Sequence, residues 1–179
     1  MPEFSIAVRV LVGLVFLTAG IGKMRHWGVF RGVVANYRLL PQFLEIPVAY
    51  ALPPVEAVLG AALLLGRATS WAAPGAASLL LIFAIAMGIN LRRGRRQIDC
   101  GCFQGALKQP LSWKLVVRNA ALACLLAAAF VPGGGSPDLF TLFNGALAGG
   151  VTFLILQSLS ILWSIVPAWQ VRGTAGAGR

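Results

Sequence analysis

Two cysteines separated by a single glycine, Cys100 and Cys102, directly follow the densest group of arginines in the chain, at 92–96. A Cys-Gly-Cys segment can close a small, strained disulfide ring, because glycine tolerates the backbone angles that such a ring requires. The neighbouring arginines favour thiolate over thiol and so lower the cysteine pKa, whereas Asp99 opposes this effect or accepts a proton. The segment therefore predicts thiols that are readily oxidised and reduced.

Two other interpretations of this segment stay open. Two thiolates at this spacing also suit a thiophilic ion such as Cu(I) in near-linear geometry. The arginines have a simpler role as well, since they anchor the topology and attract anionic lipid headgroups. With three cysteines and one histidine, His26, the chain is not expected to hold a structural zinc site. Cys124 lies within an apolar run and is expected to be a buried filler.

The remainder of the chain is strongly apolar. Of its 179 residues, 58% are hydrophobic and 11% are charged, a composition typical of membrane proteins. The net charge of +10 does not indicate nucleic-acid binding, because the basic residues lie between apolar runs rather than on one solvated face. Membrane lipids, and not nucleic acids, are therefore the expected surroundings of these residues.

Apolar runs long enough to cross about 30 Å of hydrocarbon as helices lie at 5–22, 46–66, 71–91, 112–131 and 139–167. They predict an all-α fold, a polytopic membrane helical bundle with four core transmembrane helices and a fifth formed by the last run. That last run also fits a tilted or interfacial helix, and its Gly145, Gly149 and Gly150 form a small-residue face for close packing. One transmembrane domain is expected over 1–170, followed by a disordered tail over 171–179.

The distribution of cations predicts how the bundle lies in the membrane. With five spans, the loops 23–45 and 92–111 share one side with the C-terminus and carry most of the cations outside the spans, whereas the opposite side carries Arg67. The positive-inside rule then predicts a multi-pass protein of the cell inner (plasma) membrane, with its N-terminus outside and its C-terminus in the cytoplasm.

Among the polar residues within the apolar runs, three are candidates for a functional site. Glu56 is near the middle of the second run, where an ionised carboxylate is costly unless it is paired or faces a wet cavity. Arg118 and Asn119 lie about two turns into the fourth run, at a similar depth. We therefore predict an ion pair between Glu56 and Arg118, and both a structural and a functional role for it stay open.

Several blocks follow one another in an order that resembles a known family. They are GLVFLTAGIGKM at 13–24, YRLLP at 37–41, LPPVEAVLGAALLLG at 52–66, NLRRGRRQIDCGCFQG at 90–105 and SWKLVVRNAAL at 112–122. Together they resemble the MauE-type methylamine utilisation membrane proteins, within the broader DoxX-like set of small helical membrane proteins. The resemblance covers 9–131, and Gln104 stands where that pattern has a second glycine after the phenylalanine.

The resemblance implies a membrane protein that works with a thioredoxin-like partner in making or maintaining disulfides of exported proteins, as in methylamine dehydrogenase maturation. Carried over residue by residue, the redox pair is Cys100 and Cys102 with Asp99 beside it. The membrane-embedded polar set is Glu56, Arg118 and Asn119. A thiol-disulfide oxidoreductase, a thiophilic-ion carrier and a non-catalytic assembly factor using the same cysteines all stay open.

The resemblance and the charge distribution disagree about sides, because a partner acting on exported proteins lies outside. Either the cysteine loop folds back towards Glu56 and Arg118 and exchanges electrons with a membrane quinone, or it takes electrons from a cytoplasmic thioredoxin and passes them outward. A quinone is thus a cofactor under the first alternative only. Cofactor-binding residues and a homo-oligomer are left open, and no protein metal site is predicted.

Overall fold

The computed structural model describes residues 2–66, 69–95, 97–98, 110–129 and 138–175, with side chains at 160, 161 and 163–175 left out. Within these residues the chain forms helices and no strand, which confirms the all-α bundle. The helices are α1 (Pro2–Arg25), α2 (Trp27–Tyr37), α3 (Gln42–Leu65), α4 (Thr69–Arg92), α5 (Trp113–Ala129) and α6 (Leu139–Ala175). Because α6 runs to Ala175, it enters the segment 171–179, and the division into domain and tail stays a prediction.

Four helices are long and apolar enough to cross a membrane: α1, α3, α4 and the part of α6 at Leu139–Leu159. The chain is therefore a multi-pass membrane protein. The last apolar run meets the length that a span requires, whereas α5 has 17 residues. At about 1.5 Å per residue α5 is roughly 26 Å long, slightly less than the hydrocarbon core.

Helix α2 lies in the segment 23–45, which the sequence predicted to be a loop. It has only 11 residues, so it cannot span a membrane and gives no transmembrane signal. Its buried Phe30 and Val33 pack against Ala49 of α3. A short amphipathic helix therefore covers one end of the bundle.

The arginines after α4 contact the C-terminal end of α2. Arg93 donates to the carbonyl oxygen of Arg38 at 3.5 Å, and Arg95 donates to that of Asn36 at 3.4 Å. Cations are favourable at a helix C-terminus, where carbonyl groups lack helical partners. Part of the arginine group thus ties α2 to the loop that follows α4.

Helix α1 packs against α3, α6 and α5, while α4 packs against α5 and α3. Glycines allow the closest of these contacts. A Cβ atom at Gly60 would lie 2.6 Å from the backbone nitrogen of Leu17, and one at Gly149 would lie 2.5 Å from the carbonyl oxygen of Ala7. Gly145 also faces α1, whereas Gly150 has no neighbour within 4 Å, so two of the three predicted glycines form the packing face.

Because successive long helices run in opposite directions, most of the positive charges lie at one end of the bundle. At the opposite end, the Ser5 hydroxyl near the start of α1 donates to the carbonyl oxygen of Ala129 at the end of α5, at 2.6 Å. The end of α1, α2, the end of α4 and the start of α5 therefore lie together, and we call this the arginine-rich end. Besides the buried Lys23, its described cations are Arg25, Arg31, Arg38, Arg92, Arg93, Arg95 and Lys114. That this end faces the cytoplasm stays a prediction.

Candidate functional site

A buried ion pair lies inside the arginine-rich end. The Lys23 ammonium, in the last turn of α1, donates to Oε1 of Glu56 in the middle of α3. The two side chains are 3% and 2% exposed. Because an isolated buried charge is very unfavourable, each of these groups depends on the other.

Two aromatic rings flank the ammonium. Nζ of Lys23 lies 5.1 Å from the centre of the Phe30 ring on α2 and 5.0 Å from that of Phe83 on α4. At these distances the negative faces of the rings attract the cation. Four helices, α1 to α4, therefore meet at one ammonium group. Of these four, α2 is the one that is too short to span a membrane.

Glu56 is buried, as its position in the second run predicted, but Lys23 was not predicted from the sequence as a partner of Glu56. In the sequence, Lys23 counts among the cations of the segment 23–45. A signal for it exists, since Gly13, Gly20 and Lys23 recur at helical spacing and thus share one face of α1. Gly13 and Gly20 both contact α3, so that face also directs Lys23 towards Glu56.

Arg118, the predicted partner of Glu56, is on α5, which packs mainly against α4 and α1. It lines a small cavity together with Val15 of α1 and Gln157 of α6. The pairing of Glu56 with Arg118 stays a prediction, and Lys23 is one described partner of Glu56.

Two buried asparagines lie on the facing helices α4 and α5. Asn90 donates its amide to the carbonyl oxygen of Ala86 at 3.1 Å. Its Oδ1 and the Nδ2 of Asn119 have no hydrogen-bond partner among the described residues. The backbone oxygen of Asn90 accepts from the N–H of Arg95 at 3.0 Å. Asn90 thus supports the first turn of the loop that leads to the cysteines.

The predicted redox residues Asp99, Cys100 and Cys102 lie outside the described residues. The residues on either side of this segment are described, and the Leu111 N–H donates to the carbonyl oxygen of Ile98 at 3.0 Å. Ile98 also packs against a cluster of Met87, Leu91 and Leu111, which Tyr37 of α2 contacts as well.

The described residues on both sides of the cysteine segment, Ile98 and Leu111, therefore lie at the arginine-rich end.

Cys124 differs from its prediction. The sequence placed it as a buried filler of the fourth run, whereas the structure exposes it on the outer surface of α5. Its neighbours Leu122, Ala123 and Leu126 are the buried residues of that turn. The helical repeat places Cys124 on the side of α5 that faces away from the bundle.

A cavity of about 290 Å³ opens between α2, α3 and α4 at the arginine-rich end. Apolar side chains make up most of its wall, and Lys23 contributes to it. Tyr37, Phe83 and Met87 line the cavity and also belong to the cluster that holds Ile98. The cavity, the ion pair and the attachment of the cysteine segment thus form one continuous region.

Comparison with known proteins identifies the same family that the sequence blocks resemble. The chain matches the family model described as methylamine utilisation protein MauE over residues 1–132. The methylamine utilization protein MauE of Paracoccus denitrificans is 43% identical over 176 residues, which cover 97% of this chain and 95% of the relative. That of Methylorubrum extorquens is 41% identical over 163 residues, covering 90% and 88%. No solved structure matches the chain.

Proposed function

The chain belongs to the MauE family of methylamine utilisation proteins, and from that premise we propose that it is a membrane thiol-disulfide redox protein serving methylamine utilisation. In this proposal Cys100 and Cys102 exchange electrons with a thioredoxin-like partner. The exchange supports disulfide formation or maturation of exported proteins. One observation supports the proposal: the described residues that flank the Cys-Gly-Cys segment, Ile98 and Leu111, are hydrogen-bonded to each other at the arginine-rich end of the bundle.

The chemistry needs only the two thiols and a partner disulfide. The thiolate of one cysteine attacks a sulfur of the partner disulfide, so that a mixed disulfide forms and the partner's other sulfur leaves as a thiolate. The second cysteine then attacks the mixed disulfide and releases the partner as a dithiol. The chain loses two electrons and the partner gains them; the reverse sequence lets the chain oxidise a partner dithiol.

The surrounding residues adjust this chemistry. Arg93 and Arg95, fixed by their bonds to the end of α2, supply positive charge that favours a thiolate. Asp99 is adjacent to Cys100 in the sequence and accepts or returns the thiol proton. The pair of Lys23 with Glu56 holds α1 and α3 together at this end of the bundle.

Orientation is part of the proposal. The arginine-rich end faces the cytoplasm and its cations lie among anionic headgroups. Cytoplasmic cysteines would then meet a cytoplasmic thioredoxin-like partner first. A client outside the membrane would require a further carrier, since Cys124 lies on the outer surface of α5.

Trapping a mixed disulfide tests the proposal. Cells that express Cys102→Ser or Cys100→Ser are quenched with acid and alkylated, and adducts of the chain are identified by mass spectrometry. One of the two variants is expected to accumulate an adduct with a thioredoxin-like protein, because the resolving thiol is absent. Cys124→Ser is the matched control and should accumulate none. Absence of an adduct from both variants, together with stoichiometric Cu(I) binding, would instead support the thiophilic-ion carrier.

A further inference from the structure

The cavity between α2, α3 and α4 has the features of a ligand site. Its volume of about 290 Å³ is just below the roughly 300–1,000 Å³ of typical small-molecule sites. Phe30, Leu52, Phe83 and Met87 are among its apolar lining residues. Such sites combine an apolar wall with a few polar groups that fix orientation, and here the Lys23 ammonium is one such group.

The Lys23 ammonium has more N–H groups than its described hydrogen bond uses. A lysine ammonium carries three N–H groups, and Lys23 gives one of them to Glu56. The other two have no acceptor among the described residues, although the side chain is only 3% exposed. The flanking rings attract the charge but do not replace a hydrogen-bond acceptor. A molecule in the cavity that presents an oxygen acceptor would complete this group.

The net charge of the Lys23–Glu56 pair favours a neutral acceptor over an anionic one. Glu56 already neutralises Lys23, so the pair has no net charge with which to hold an anion. An anionic headgroup would have to compete with the Glu56 carboxylate for the same ammonium, and it would bring an unpaired charge into an apolar wall. A neutral carbonyl oxygen accepts from the spare donors without displacing Glu56.

The wall also favours a flat ring with an apolar tail. Phe30, Tyr37 and Phe83 supply aromatic surface from two sides, and aromatic side chains pack well against planar rings. Ile82, another lining residue, is 57% exposed on the outer surface of α4. The cavity is therefore bordered by surface that faces the lipid, where an isoprenoid chain can lie.

We propose that this cavity binds an isoprenoid quinone of the membrane, with a ring carbonyl accepting a hydrogen bond from Lys23. The inference concerns binding alone. It does not depend on the thiol chemistry proposed above, and a bound quinone would neither establish nor refute a mixed disulfide at Cys100 or Cys102.

Binding by the purified full-length chain in detergent micelles tests the proposal. The probes are ubiquinone-1, a benzene with the same methoxy, methyl and isoprenyl groups but no carbonyl, and myristate; protein-free micelles are the blank. Ubiquinone-1 is expected to bind saturably at one site per chain. The carbonyl-free analogue should bind about tenfold to a hundredfold more weakly, the range expected for a lost charge-assisted hydrogen bond. Equal binding of ubiquinone-1 and its analogue, or preferential binding of myristate, would overturn the proposal.

A pair of variants localises the binding. Ala86→Phe fills the cavity from α4 without changing the ion pair, and it is expected to weaken ubiquinone-1 binding at least tenfold. Ala51→Phe makes the same change on the exposed surface of α3 and should leave binding within twofold of wild type. Equal affinity of wild type and Ala86→Phe would place the quinone elsewhere and refute this site. The comparison of the three probes on the wild-type chain remains decisive if Ala86→Phe fails to fold.

Discussion

Glu56→Leu and Lys23→Met each remove one partner of an ion pair that the bundle buries almost completely. With both side chains at most 3% exposed, solvent does not screen the charge that is left behind. Removal of one partner of a buried pair typically costs about 3–5 kcal/mol. The Phe30 and Phe83 rings remain beside the ammonium in Glu56→Leu, but a desolvated cation–π contact contributes only about 2 kcal/mol. Each single variant should therefore lose about 3 kcal/mol of unfolding free energy.

The double variant separates pairing from bulk packing. Lys23→Met with Glu56→Leu replaces the pair by apolar side chains of similar volume, an exchange that is often neutral or stabilising. We expect the double variant to unfold within about 1 kcal/mol of wild type, so that the two losses are strongly non-additive. Unfolding is followed by circular dichroism as dodecyl sulfate is titrated into dodecyl maltoside micelles.

A cation on the outer surface provides the control. Arg25→Met changes an exposed residue in the same last turn of α1, and it should shift the unfolding free energy by less than about 0.5 kcal/mol. Additive losses in the double variant, or an Arg25→Met loss as large as that of Lys23→Met, would refute the reasoning that the buried pair joins α1 to α3.

Three further perturbations test other parts of the structure. Gly60→Ala should cost about 1–3 kcal/mol because its Cβ would meet the backbone of α1, whereas Gly88→Ala, with open space around it, should gain up to about 1 kcal/mol; equal effects in thermal unfolding would contradict the close contact. Arg118→Gln combined with Glu56→Gln should give non-additive losses if these residues also interact, and clean additivity would remove that predicted pair. Gln97→Cys should resist an impermeant maleimide on intact cells and react after permeabilisation; ready labelling of intact cells would reverse the orientation.

Hydropathy was enough to predict the membrane bundle, because a span needs about 20 apolar residues and such a run is visible without any tertiary information. The same criterion could not find α2, whose 11 residues are stabilised by packing of Phe30 and Val33 rather than by length. Short helices depend on their tertiary contacts more than on their own propensity. Hydropathy therefore does not detect a short helix that covers the end of a membrane bundle, and such a segment is predicted as a loop.

The candidate site was predicted only in part, and the reason is helix adjacency. The cost of a buried carboxylate identified Glu56 without knowledge of the fold. Lys23 was not predicted as its partner, because depth in a span does not show which helices are neighbours; the packing of α1 on α3 brings Lys23 to Glu56, and the pairing with Arg118 stays a prediction. The glycine face of α1 carried that information, as Gly13 and Gly20 mark the side that meets α3.

The central claim is that Cys100 and Cys102 cycle between dithiol and disulfide, and counting free thiols tests it most directly. The chain has three cysteines, so acid-quenched protein that is denatured and alkylated should give two masses, one with three adducts and one with a single adduct on Cys124. Treatment with dithiothreitol should convert the second into the first, and a Cys124→Ser variant should give two adducts and none. Three adducts under every growth condition, in both the absence and the presence of oxidant, would contradict the account.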